Sequence, residues 1–150
     1  MSSKTANEFY AGLHEIEEAL RALPAEAANR AWRSGGWTGK QILGHMLDSA
    51  ANNHQRFVRA ATSKSYTGPG YEQQAWVDAH GYTEQSWTTL LRWWQVSHEL
   101  LAGVVAHIPE SHWQTPCQID NSEAVTLEFV VRDYIRHQRH HLHQLQEPQS

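Results

Sequence analysis

Thr126-Leu-Glu-Phe-Val-Val-Arg-Asp-Tyr-Ile-Arg-His-Gln-Arg-His-His-Leu-His-Gln-Leu-Gln146 is the stretch on which the fold turns. Its apolar residues, Leu127, Val130, Val131, Tyr134, Ile135, Leu142 and Leu145, recur at helical spacing and so form one stripe along a helix. Glu128 falls in the first turn, where a carboxylate complements the helix dipole. Three other stretches keep the same rhythm. Thr5 to Leu23 carries Phe9, Leu13, Ile16, Leu20 and Leu23, opens on a Thr5-x-x-Glu8 capping box and is stopped by Pro24. A second begins where Thr38 caps with Gln41 reaching back and Trp37 packing on Ile42, and runs to about Ala61. The third extends from Thr83 or Ser86 to about His107, with Trp87, Leu90, Leu91, Trp94, Leu101, Val105 and Ile108 on one face, before Pro109 ends it.

Four amphipathic helices in 150 residues predict an all-α protein, a single domain over residues 1–150 built as an antiparallel four-helix bundle, because each stripe needs a partner. No sheet is required. Ser63 to Tyr82, with Thr67-Gly-Pro-Gly70, is long enough to cross the bundle end to end, so a long crossover loop is expected between helices two and three, which then lie parallel. Loops of that length are uncommon in compact domains and often functional. The connection from Glu110 to Val125 contains Asp120-Asn-Ser-Glu123, a tight turn, and reads as a short irregular hairpin.

Composition excludes several classes. Twelve Lys plus Arg against 16 Asp plus Glu, for a net charge of −4, provide no basic footprint for nucleic acid. No apolar run approaches the ~20 residues that span a bilayer, and the first residues lack a hydrophobic targeting core, so a soluble, cytoplasmic protein with no membrane partner is expected. Cys117 is the only cysteine, which excludes an internal disulfide and a cysteine-based zinc finger and points to a reducing compartment. With no base near it in sequence, it reads as a passive loop thiol. Gly-x-Ser-x-Gly, His-Glu-x-x-His and Glu-x-x-His are absent. Ser34-Gly-Gly-Trp-Thr-Gly-Lys-Gln41 fails as a phosphate loop at its first glycine and its last residue.

The 11 histidines are where chemistry is to be sought. On the fourth helix His137 and His141 fall beside the apolar stripe, whereas His140 and His143 point to solvent with Arg132, Arg136 and Arg139. An i, i+4 pair of imidazoles is either a solvated pair or two ligands of one metal ion. A third ligand must come from a facing helix. His45 is the leading candidate, since it lies where the stripe of Ile42, Met46 and Phe57 meets polar Asp48, Ser49, Asn52 and Arg56. Three ligands leave a tetrahedral ion one position for water, which suggests chemistry, whereas structural sites are usually closed by four. Asp48 and Asp133, each about one turn from a candidate ligand, are either acceptors for the second imidazole N–H or ordinary carboxylates. His98 faces inward, as a core histidine or a fourth ligand. His14, His54 and His107 read as outward, and His80 and His112 lie in loops.

Trp37-Thr-Gly-Lys-Gln-Ile-Leu-Gly-His-Met-Leu-Asp-Ser49, with Tyr134-Ile-Arg-His-Gln-Arg-His-His-Leu-His-Gln-Leu145, resembles the DinB/YfiT-like superfamily. The resemblance implies a four-helix bundle with a long crossover between helices two and three. It also implies His45, His137 and His141 as ligands of a divalent ion such as zinc or nickel. Family members include metal-dependent hydrolases and transferases or isomerases using low-molecular-weight thiols, so a small-molecule substrate and a possible thiol cosubstrate are implied. The competing reading is a non-catalytic, stress-associated metal- or ligand-binding module. A homodimer is expected under either. Trp87 and Trp94 read as core and Trp93 as flanking. Trp32, Trp37, Trp76 and Trp113, in or beside connections, either pack simply or fold over the metal as an apolar pocket.

Overall fold

The computed structural model describes residues 2–149, with side chains from Lys4 onward; Met1 and Ser150 of the predicted domain lie outside the described residues. In chain order the elements are α1 (Ser2–Arg21), α2 (Gly39–Ala61), β1 (Tyr66–Gly68), α3 (Gln73–His80), α4 (Trp87–Ala106), β2 (Pro116–Ile119), β3 (Val125–Thr126) and α5 (Leu127–Gln146). The four long helices form the bundle.

The caps set three of the helix starts. Thr38 Oγ1 accepts from the Gln41 N–H at 3.4 Å while Gln41 Oε1 accepts from the Thr38 N–H at 3.0 Å, completing the expected box. Ser86, not Thr83, caps α4 through the Thr89 N–H, and Thr126 caps α5 through the Phe129 N–H. The first helix departs from expectation: α1 is already helical before Thr5, so Thr5 is no cap. One turn before Phe9, it lies on the buried stripe and donates to Glu128 Oε2 at 2.8 Å.

Contacts along the helices fix their directions. Ser49 lies against His137 and His45 against His141, so α2 and α5 run antiparallel. Lys40 Nζ donates to Thr83 O just ahead of α4, and Leu47 and Leu90, two turns further along each helix, line one groove. Therefore α2 and α4 are parallel, as the crossover predicted. Thr5 with Glu128, Glu8 with Arg132 and Glu15 with Arg139 make α1 and α5 parallel as well.

The expectation that no sheet is needed is corrected. A three-stranded sheet of order β1-β2-β3 joins the two long connections at one end of the bundle. β1 pairs parallel to β2 with Tyr66 opposite Cys117, and β2 pairs antiparallel to β3 with Pro116 opposite Thr126, the hairpin expected before α5. Asp120 turns it with φ +57° and donates its N–H to Gly68 O at 2.9 Å. The cause is backbone satisfaction: two connections crossing one bundle end supply each other's N–H and C=O groups. The crossover is likewise structured, holding β1, α3 and a turn at Tyr82–Glu84.

Two polar groups are built into the core. Gln138, fully buried, accepts from Trp94 Nε1 at 3.0 Å and donates to Met46 O at 3.1 Å, linking α4, α5 and α2 just inside the histidines. His98 stacks on Trp94 and has partners at both nitrogens: Nδ1 is 2.7 Å from Trp94 O and Nε2 is 2.6 Å from Tyr134 Oη. The carbonyl requires a proton on Nδ1, so Nε2 accepts from the tyrosine. His98 is thus a satisfied core histidine. Trp113 and Cys117 are also buried, and burial pushes the thiol up to about 11, which leaves it inert.

Burial pushes His98 down to about 4. Between pH 6.5 and 4 the unfolded chain therefore binds a proton that the folded chain refuses, and stability falls as pH falls through that window. The loss amounts to about 3 kcal/mol from this ring. Urea melts of metal-free protein at neutral pH and near pH 4 should show a slope that shrinks by that amount in His98→Gln; an unchanged slope would remove His98 as its source.

Candidate metal centre

Helical periodicity on two antiparallel helices brings His45 of α2 against His137 and His141 of α5. The ring centroids lie 5.3 Å apart for His45 and His137, 4.5 Å for His45 and His141, and 4.5 Å for the α5 pair. Every pair of rings is nearly perpendicular. One nitrogen from each ring lies within 4.8 Å of the others. His137 Nε2 and His141 Nε2 face each other at 3.0 Å.

The electrostatics favour neutral rings. Burial, then the neighbouring imidazoles, push His45 down to about 3. Burial pushes His141 down to about 4 against the opposing hydrogen bond from Gln144, and burial also lowers His137. Three neutral imidazoles with converging lone pairs suit a borderline divalent ion. The donor set fits on a second count: both ring nitrogens of His45 are buried with no hydrogen-bond partner among the described residues. An orphaned buried imidazole is costly unless something outside the polypeptide occupies it.

The outer nitrogens of the α5 rings meet Gln144 and Ser49 rather than either candidate carboxylate. Gln144 Oε1 lies 2.8 Å from His141 Nδ1, and Ser49 Oγ lies 3.5 Å from His137 Nδ1. The Gln144 contact places the proton on Nδ1 and turns the Nε2 lone pair inward. Gln144 is three residues beyond His141, so the same helical wheel would have found it. Asp133 is engaged by Arg136 instead. Asp48 Oδ1 accepts from Tyr82 Oη at 2.6 Å and lies 3.2 Å from His80 Nδ1, while its buried Oδ2 has no partner among the described residues; burial raises its pKa. Tyr82 reaches Asp48 because its ring lies flat on Gly44, where any side chain would overlap it. No periodicity in the sequence announces that contact.

Of the loop tryptophans, Trp37 covers the centre: its ring lies 5.1 Å from His45, and Nε1 donates to Gln74 Oε1 at 3.1 Å, fastening α3 over α2. Trp76 packs on Tyr71 and His80, and Trp32 packs against the core. His14, His107, His140 and His143 are exposed, whereas His54 is half-buried. His137 forms one wall of a cleft of about 320 Å³, whose other walls include Ser49, Asn53 and Arg56 of α2, Tyr71 of the crossover, and Ile119, Val125 and Phe129. Among the described residues no helix is long and apolar enough to cross a membrane.

A sequence profile described as the DinB superfamily matches residues 8–145. The Bacillus subtilis protein named "Putative metal-dependent hydrolase YfiT" is 22% identical over 85% of this chain and 72% of its own length. A Bacillus cereus protein of the same designation is 34% identical over 43% of this chain, a match that spans 38% of that relative. Among solved structures, YfiT, described as a probable metal-dependent hydrolase with an unusual four-helix bundle topology, superposes with a TM-score of 0.83 at 21% identity over 97% of this chain and 84% of that one. A mycothiol-dependent maleylpyruvate isomerase superposes with a TM-score of 0.80 at 14% identity over 97% of this chain and 60% of that one.

Proposed function

The chain belongs to the DinB superfamily, and on that premise we propose that it is a metal-dependent hydrolase of a small-molecule substrate, with one divalent ion, zinc or nickel, held by His45, His137 and His141. The observation that carries the reading is the buried His45 ring, whose nitrogens have no partner among the described residues and which meets two neutral imidazoles beside an open cleft. When bound, such an ion supplies Lewis acidity to a substrate oxygen and favours the deprotonated form of a nucleophile.

The chain's own residues do the remaining work. Gln144 and Ser49 set the orientation of the two α5 rings, and Trp37 keeps water from one side of His45. His137 brings the centre to the cleft, where a substrate enters. Transfer to a low-molecular-weight thiol is the second use of the same site, and the fold likeness to a mycothiol-dependent isomerase supports it.

Untagged, metal-loaded protein should be screened against small esters and other electrophiles, with and without glutathione, bacillithiol or mycothiol. Hydrolysis without thiol, lost on chelation and in His137→Ala and restored to wild type by the ion, is the expected result. Turnover that requires a thiol would assign transfer instead. A protein that binds its ion and turns over nothing under either condition would be a binding module.

A further inference from the structure

Arg56 stands on α2 two turns beyond Ser49, in the wall of the cleft that His137 also lines. Its guanidinium donates to Asn53 Oδ1 at 3.4 Å and to Pro69 O at 3.3 Å, and it lies over the Tyr71 ring at 5.9 Å. Both oxygens are neutral. Among the described residues no carboxylate lies within ion-pairing distance of Arg56, and Asp133, the one acid lining the cleft, is taken by Arg136.

The arrangement leaves a half-buried cation held in place by weak acceptors, with donors available to the cleft. A planar guanidinium in that setting matches a carboxylate, which it can bind through two parallel hydrogen bonds. Ile119, Val125 and Phe129 give the cleft an apolar side. Ser49 sits beside His137, and the helical rise from Ser49 to Arg56 is about 10 Å, so the cation and the metal centre stand a small molecule's length apart.

We propose that the cleft takes a small organic acid whose carboxylate pairs with Arg56, whose apolar body lies along Ile119, Val125 and Phe129, and whose reacting end reaches His137. The inference rests on the reading of this cleft as the substrate site of the metal centre. The carboxylate is brought either by the electrophile or by a carboxylated thiol.

The test is an NMR titration of metal-free, chelator-treated protein, in which no carboxylate or thiol can score by binding an ion. Phenylbutyrate is compared with neutral phenylbutyramide, and reduced glutathione with its diethyl ester. Wild type should prefer the acid of at least one pair by about tenfold or more. The preference should vanish in Arg56→Gln, survive in part in Arg56→Lys, and persist in Arg59→Gln, which removes an exposed charge from the same helix. Preference within the first pair assigns the carboxylate to the electrophile, and preference within the second assigns it to the thiol. Equal binding of acid and neutral partner in wild type, or an undiminished preference in folded Arg56→Gln, overturns the proposal. Because the metal is absent throughout, that failure is distinct from failure of the metal centre, which elemental analysis reads separately.

Discussion

Replacing His45 by alanine is expected to empty the centre. Wild-type protein, purified untagged and without a metal column, should carry about one divalent ion per chain, and His45→Ala and His141→Ala should carry almost none. The size of the effect follows from the geometry. Among the described residues His45 is the one member of the histidine cluster on α2, so its loss leaves two imidazoles on one helix turn, and an i, i+4 pair alone binds weakly. A folded state that binds an ion is stabilised by mass action, by roughly 4 kcal/mol when free ion exceeds its dissociation constant a thousandfold. Chelation should therefore lower the melting temperature of wild type by several degrees and leave His45→Ala unmoved. The metal-free forms should differ much less, because alanine removes two orphaned nitrogens along with the packing of the ring. Wild type that stays metal-free after readdition, while folded, would sink the metalloenzyme reading.

Gly44→Ala is expected to be strongly destabilising. Its neighbour in space is the face of the Tyr82 ring, which is buried and pinned by its hydrogen bond to Asp48, so the ring cannot retreat without giving up that bond. Overpacking of this kind costs about 1–3 kcal/mol, and a broken bond to a buried carboxylate adds to it; the gain in helix propensity returns about 1 kcal/mol. A net loss of roughly 3 kcal/mol in urea melts is the expectation. A double-mutant cycle identifies the cause: in a Tyr82→Ala background the added methyl should cost nearly nothing. If the cost is the same in both backgrounds, the ring is not what the glycine accommodates.

The three histidines were legible because a helix converts spacing into direction. His137 and His141 had to share a face, and His45 had to sit where an apolar stripe meets a polar one. The same reasoning gave the four helices, the cap at Thr38 and the parallel run of α2 and α4. What it missed depends on contacts between distant segments. Tyr66–Gly68 and Pro116–Ile119 are too short to show a strand period, and each becomes a strand only because the other passes beside it. Asp48 was weighed as an imidazole acceptor from its place on α2, but Tyr82, brought in by the crossover, engages its carboxylate. Thr5 looked like a cap by motif, yet α5 buries it and gives its hydroxyl another partner.

Parallel pairing of Tyr66 with Cys117 joins positions roughly fifty residues apart, and the parallel helix pairs impose separations of 43 residues between Lys40 and Thr83 and 123 between Thr5 and Glu128. In an up-and-down bundle each helix can dock on the one just made, so the search for contacts stays local. Here α2 and α4 must each wait for a long intervening segment to cross the bundle, and loop closure opposes every such step. Assembly is accordingly slower than for an up-and-down bundle of equal length. Pairing of β1 with β2 closes a shorter loop than the contact of α2 with α5 at Ser49 and His137, which spans 88 residues. The histidine centre, which joins α2 to α5, therefore closes over a longer stretch of chain than the β1–β2 pairing that precedes the cleft wall at Tyr71.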